Sequence, residues 1–144
     1  MKKLLFMLTV LLFTQALSAQ YIRERDRWGE KLAYIDGNTI RDKDQWGEKL
    51  FYLDGSTIRE KDRWGLQLLY IDGNTVRVKD RWGDKLFYFD GLTIRYKDQW
   101  GEKLLYLDGL TLRYKDQWGE RLLYFDTHPD RWVLAVMAAL LLGD

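Results

Sequence analysis

The residues of this chain that could do chemistry recur at one fixed interval. Tryptophan stands at Trp28, Trp46, Trp64, Trp82, Trp100 and Trp118, eighteen residues apart, each followed by glycine and preceded two residues earlier by aspartate. An indole presents a flat apolar face, so six in a circle can stack on sugar rings or on a partner chain. Beside Lys43-type and Arg-type side chains, each ring could instead cover its neighbouring hairpin and make a cation–π contact, worth about 0.5–1 kcal/mol at an exposed site.

Other candidate chemistry is thinner. Asp36, Asp54, Asp72, Asp90 and Asp108 each precede a glycine. Calcium would need about 6–8 oxygens converging on one point, and one aspartate per unit is too sparse, so an Asx-type turn role explains them without a metal. His128 is the single histidine and cysteine is absent, so a His/Cys metal cluster is impossible and a catalytic triad would rest on one base. No strained G-x-S-x-G nucleophile motif is present, and no cofactor is implied. An enzyme would have to assemble its site from near-identical copies of Asp, Tyr, Lys and Arg, so the chain reads as non-enzymatic.

One feature breaks the repetition. The position two after the strand isoleucine is Glu24, Asp42 and Glu60 in the early units and Val78, Tyr96 and Tyr114 in the later ones. Asn38, Ser56 and Asn74 likewise give way to Leu92 and Leu110. Half of the array is polar where the other half is apolar or aromatic. Such a patch either marks an interface or packs where the chain turns inward.

The elements that position these residues follow from the period. An 18-residue period recurs six times across 21–126 with no insertion, so each unit is one module stacked on its neighbours. Two turn signals alternate. In D-x-W-G, aspartate can bond back to the backbone and glycine can take the left-handed conformation. In D-G-[NSL]-T, Asp-Gly between strand-forming runs is a strong hairpin signal. Runs such as 39–43 and 49–53 lie between them, which makes two strands per unit and about twelve in all. A parallel solenoid with an 18-residue coil competes with this meander, but it would stack Arg41, Arg59, Arg77, Arg95 and Arg113 at about 4.8 Å, and like charges opposite one another are unfavourable. The charge pattern favours the antiparallel meander.

The last segment differs. Thr127 with Asp130 resembles a capping box, Pro129 suits a first turn, and Gly143 suits a stop. Residues 132–142 are apolar on every side, so a helix there must be surrounded. Rolling twelve strands into a ring removes the exposed edges and leaves a bore of radius roughly 9–12 Å, wide enough for one helix. With a two-residue loop at Asp36-Gly37, Ala33 and Ile35 share the inward face with Ile40, while Leu32 and Tyr34 share the outer face with Thr39 and Arg41. The expected fold is therefore all-β with one C-terminal helix: six β-hairpins, about twelve antiparallel strands, closed around a central apolar helix.

The first 19 residues have two lysines, an apolar run over 4–13 and small residues at Ser18 and Ala19, which reads as a bacterial signal peptide. The divisions are then 1–19 signal, 20–126 hairpin ring and 127–144 helix, with no transmembrane span in the mature chain. Removing the leader takes two lysines and no acid from 23 basic and 22 acidic residues, leaving a net charge near −1. That gives no electrostatic reason for a nucleic-acid partner; protein or glycan are the partners the surface suits, with the oligomeric state open.

The W-G-E-K-L-x-Y-I-D-G-N-T-I-R unit, the leader and the apolar tail together resemble the bacterial β-flower hairpin-repeat proteins, described as four-fold or five-fold. The most specific part is the G-x-x-[LI]-x-Y-I-D-G-N-T-[IV]-R core, as at 29–41. This chain departs from those relatives in having six units, and tryptophan before the glycine where tyrosine is expected. The resemblance implies export and hairpins arranged as petals around an axis, and it transfers no catalytic residue.

Overall fold

Each unit folds into two strands joined by the two kinds of turn, and the units close on themselves. A computed structural model describes residues 20–143; the signal-peptide expectation for 1–19 lies outside them, as does Asp144. The strands are β1 Tyr21–Glu24, β2 Lys31–Asp36, β3 Thr39–Asp42, β4 Lys49–Asp54, β5 Thr57–Glu60, β6 Gln67–Asp72, β7 Thr75–Val78, β8 Lys85–Asp90, β9 Thr93–Tyr96, β10 Lys103–Asp108, β11 Thr111–Tyr114 and β12 Arg121–Phe125, followed by α1 Arg131–Leu142. Every strand is antiparallel to its neighbours in sequence, and β1 pairs with β12, giving a closed barrel of twelve strands. No helix among the described residues is long and apolar enough to cross a membrane.

The Asp-Gly turns are two-residue loops set one position later than the sequence suggests. Asp36 lies opposite Thr39 and Ile35 opposite Ile40, so the loop is Gly37-Asn38, with Gly37 at φ 60°. Glycine at the first loop position matches the twist of the flanking strands.

The D-x-W-G turns close as expected at the aspartate and differently at the glycine. The Trp46 N–H donates to Asp44 Oδ1 at 2.9 Å and the Gly47 N–H to the Asp44 carbonyl at 2.9 Å. Gly47 is not the left-handed residue. That role falls to Arg25, Lys43, Lys61, Lys79, Lys97 and Lys115, at φ 66–69°, a conformation that costs a side-chain-bearing residue roughly 1 kcal/mol. Glycine is required at 47 because a Cβ there would sit 1.6 Å from the Asp42 carbonyl oxygen. Tight reversal onto that carbonyl, not backbone handedness, selects it.

Facing follows the expected alternation except at one residue per unit. Ile22, Ile40, Ile58, Val76, Ile94 and Leu112 are buried and point inward. Opposite them the register slips: Ile40 pairs with Phe51 and Arg41 with Lys49, leaving Leu50 as a bulge. The bulge turns Leu32 and its equivalents to the bore, where Leu68, Leu86, Leu104 and Leu122 pack on the core. Sharing the outer face with Tyr34, as strict alternation implies for Leu32, is thus overturned by the extra residue.

The helix fills the bore for part of its length. Residues 132–138 are buried, whereas Leu140 and Leu141 are exposed, so the last turn leaves the wall behind. Apolar crevices of about 200, 200 and 330 Å³ open around that turn, lined among others by Leu50, Leu68 and Leu104. The complete enclosure expected from its uniform apolarity holds only for the first half. Asp130, not Thr127, is the N-cap, without a side-chain cap bond, and the Gly143 N–H bonds to the Ala139 carbonyl at 2.8 Å with Gly143 at φ −72°.

A ladder of arginines ties the two turns together on the outside. Arg41 Nε donates to Asp36 Oδ2 at 3.2 Å and Arg41 Nη1 to the Gly47 carbonyl at 3.0 Å, and the same pair of bonds recurs for Arg59, Arg77, Arg95 and Arg113. The aspartates before glycine therefore serve as carboxylate partners of arginine in place of an Asx-turn role. At the seam, Arg23 Nε reaches Asp126 Oδ1 at 3.1 Å, so the sixth unit supplies the aspartate that the first lacks. The meander still sets Arg41 opposite Lys49; the guanidinium charge is met by the carboxylate beside it.

Two outcomes test this account. Gly47→Ala should cost several kcal/mol in urea unfolding and Gly55→Ala about 1 kcal/mol, because the first meets a carbonyl and the second only a positive φ in open space. Deleting 131–144 should abolish cooperative thermal unfolding, since it removes every buried residue of α1; a truncated chain that still melts in one sharp transition would refute the plugged-barrel core.

Candidate functional site

The six D-x-W-G loops stand at one end of the barrel, the end from which the C-terminal turn of α1 emerges, because Leu32 and Leu50 beside those loops line a crevice with Leu140 and Leu141. Each loop holds its tryptophan by the backbone: the tryptophan amide N–H donates to Oδ1 of the aspartate two residues earlier at 2.9 Å in all six units. The side chains themselves are 80–85% exposed. Most of each indole is therefore left uncovered by the neighbouring hairpins.

Beneath one of these rings lies an open groove of about 220 Å³ on the outer wall. Its walls are Thr93, Lys103, Tyr106, Asp116, Gln117 and Trp118. The groove is built between units: Tyr106 on β10 lies opposite Thr93 on β9, Lys103 opposite Arg95, and the loop after β11 adds Trp118 to the same groove. Equivalent pairs stand around the barrel as Tyr88 with Thr75, Tyr70 with Thr57, Tyr52 with Thr39, and Tyr124 with Thr111. At the seam Tyr21 replaces threonine opposite Tyr34, and Lys31 Nζ lies 4.2 Å from the Tyr21 ring centroid.

The rim is less uniform than its tryptophans. Where the residue before tryptophan is arginine, the guanidinium lies over the indole: Arg27 on Trp28 at 4.8 Å, Arg63 on Trp64 at 4.9 Å and Arg81 on Trp82 at 4.8 Å. Trp46, Trp100 and Trp118 follow Gln45, Gln99 and Gln117 instead. Of the lysine and arginine partners that the sequence offered, it is the adjacent arginine that makes the cation–π contact in these three units.

Val78, Tyr96 and Tyr114 do not join the tryptophan grooves. They lie opposite the inward-facing Leu69, Phe87 and Leu105, so they line the mouth of the bore and remain 40–55% exposed. Tyr96 and Leu142 share a crevice there. His128 lies at the opposite end with Pro129, Asp130 and Arg131, beside Gly91 and Leu92. The site residues therefore fall into two sets on the two faces of one wall, grooves outside and an apolar half-mouth inside. The groove partners Lys103, Tyr106 and Thr93 are not evident from the sequence; their signal is a constant offset from tryptophan that becomes a shared groove only when adjacent hairpins pair.

Comparison of the chain with protein-family models, curated proteins and solved structures gives no match.

Because the indoles touch so little of the barrel, each Trp→Ala change on the rim should alter unfolding free energy by no more than about 0.5 kcal/mol, whereas Trp132→Ala in the buried helix should cost about 3–5 kcal/mol. Parallel urea titrations of Trp100→Ala and Trp132→Ala check the contrast.

Proposed function

We propose that this chain is an exported, non-enzymatic repeat protein that acts by binding at the cell envelope, with the tryptophan rim as its contact surface. The observation that carries this reading is the exposure of all six indoles. Large apolar side chains gathered on one exposed rim cost solubility and mark a surface that meets something else. Repetition supports the same reading, since several weak sites on one rigid body multiply affinity for a repetitive ligand by about 10²–10⁴ when its spacing fits. A binding role also suits the groove at Trp118, where an aromatic platform stands among hydrogen-bonding side chains. Export, to the periplasm, cell surface or medium, rests on the leader-like residues 1–19 and agrees with the resemblance to β-flower proteins.

Assembly is a second reading, favoured by the mouth. Tyr96, Tyr114, Leu140 and Leu141 are exposed together at one end, an apolar patch that a second copy or a partner could cover.

Envelope fractions should retain the intact chain, and a variant with all six rim tryptophans changed to alanine should be retained at least tenfold less. Equal retention would eliminate the rim as the contact. Replacing Tyr96 and Tyr114 by glutamate should lower the sedimentation coefficient if the mouth drives assembly; an unchanged value would remove the assembly reading.

A further inference from the structure

We infer that the two adjacent grooves at Trp100 and Trp118 are sugar-binding subsites, each taking one neutral pyranose ring of a repeating glycan. The inference rests on the rim being the contact surface and adds the ligand class and the grooves that hold it.

A pyranose is amphipathic in a particular way: its C–H groups form an apolar face, and its hydroxyls radiate from the edge as both donors and acceptors. The Trp118 groove offers the complement. The indole is a flat platform, and around it stand a carboxylate from Asp116, an amide from Gln117, an ammonium from Lys103 and hydroxyls from Tyr106 and Thr93. Carboxylate and amide oxygens accept from sugar hydroxyls, while the ammonium and amide NH₂ donate to them. An extended apolar peptide would leave those polar groups unpaired, and an unmatched polar group costs about 1–3 kcal/mol. At about 220 Å³ the groove is smaller than the roughly 300–1,000 Å³ clefts that enclose drug-sized ligands. It suits one ring, held weakly.

Only the groove at Trp100 repeats the set unaltered. Gln99 precedes that tryptophan, Asp98 Oδ1 accepts its N–H at 2.9 Å, Tyr88 lies opposite Thr75, and Lys85 takes the place of Lys103. At Trp28, Trp64 and Trp82 an arginine already lies over the indole. At Trp46 the lysine is drawn onto Tyr21, which also replaces the threonine. The two intact grooves belong to successive units, two strands and therefore about 10 Å apart. A single glycan chain running along the rim reaches both, so a polymer should bind more tightly than its monomer by the effective-concentration effect.

The seven indole N–H signals of the full chain provide the test, with buried Trp132 as the internal reference. Methyl glycosides of glucose, galactose, mannose and N-acetylglucosamine are titrated, followed by a soluble polymer of the sugar that responds best. The expected result is a saturable shift of the Trp100 and Trp118 signals with Trp132 unmoved, and at least tenfold tighter binding of the polymer. Gln99→Arg with Gln117→Arg, a surface change that leaves the wall intact, should cut polymer affinity at least tenfold; Gln45→Arg, at the loop where the groove lysine lies on Tyr21, should leave it within twofold. A loss with Gln45→Arg as large as with the double change would overturn the assignment to two grooves. Unmoved signals with every glycoside, while envelope retention still needs the tryptophans, would overturn the sugar and leave the rim reading standing. Neutral phosphatidylcholine vesicles that move all six rim signals together would assign the rim to a lipid surface and overturn the proposal.

Discussion

The pairing of the first strand with the last governs this structure. Ile22 lies opposite Phe125 and Glu24 opposite Leu123, although about a hundred residues separate them along the chain. Bringing such distant ends together costs roughly 4 kcal/mol of loop-closure entropy. The backbone pairing offsets it, as do Arg23 on Asp126 and the Asp126 N–H on the Tyr21 carbonyl. Asp126 does for Arg23 what Asp36 does for Arg41, so the seam repeats the chemistry of every internal joint. Without this closure two edges would stand open to other chains, and the apolar helix would have a wall on one side only.

Closure also explains why one wall carries two surfaces of opposite character. A six-fold ring of short hairpins encloses more space than one helix fills. The helix is buried over 132–138, and crevices open where its last turn runs past the wall. Val78, Tyr96 and Tyr114 face that remaining space, while the tryptophan grooves face outward. Identical repeats give identical grooves only if their neighbours are identical too. The departures at Arg27, Arg63, Arg81 and Tyr21 therefore matter as much as the repeat itself.

Several elements were legible because their causes are local. Asp-Gly and D-x-W-G punctuate the chain at constant spacing, Ile22 and its equivalents mark the inward face by alternation, and residues 132–142 announce a helix that must be covered. Other features had causes that no single unit contains. The leucine bulge follows from pairing with the next hairpin, which leaves Leu50 unpaired between Lys49 and Phe51. Lys43 takes a left-handed conformation that lysine seldom adopts, and its N–H is met by the Leu32 carbonyl of the adjoining strand at 3.0 Å. The glycine after tryptophan was read through φ, whereas its reason is the clearance to a carbonyl five residues back.

By itself, then, the sequence determined the module, its count, the kinds of turn and the need for a covered apolar tail, because periodicity and turn chemistry act within a dozen residues. Tertiary structure decided which side chains come together: the arginine on the aspartate of the preceding turn, Trp118 in one groove with Lys103 and Tyr106, and the division between outer grooves and inner mouth. The reason is physical. Pairing register between hairpins shifts by one residue at each bulge, and a one-residue shift moves a side chain from one face of the wall to the other.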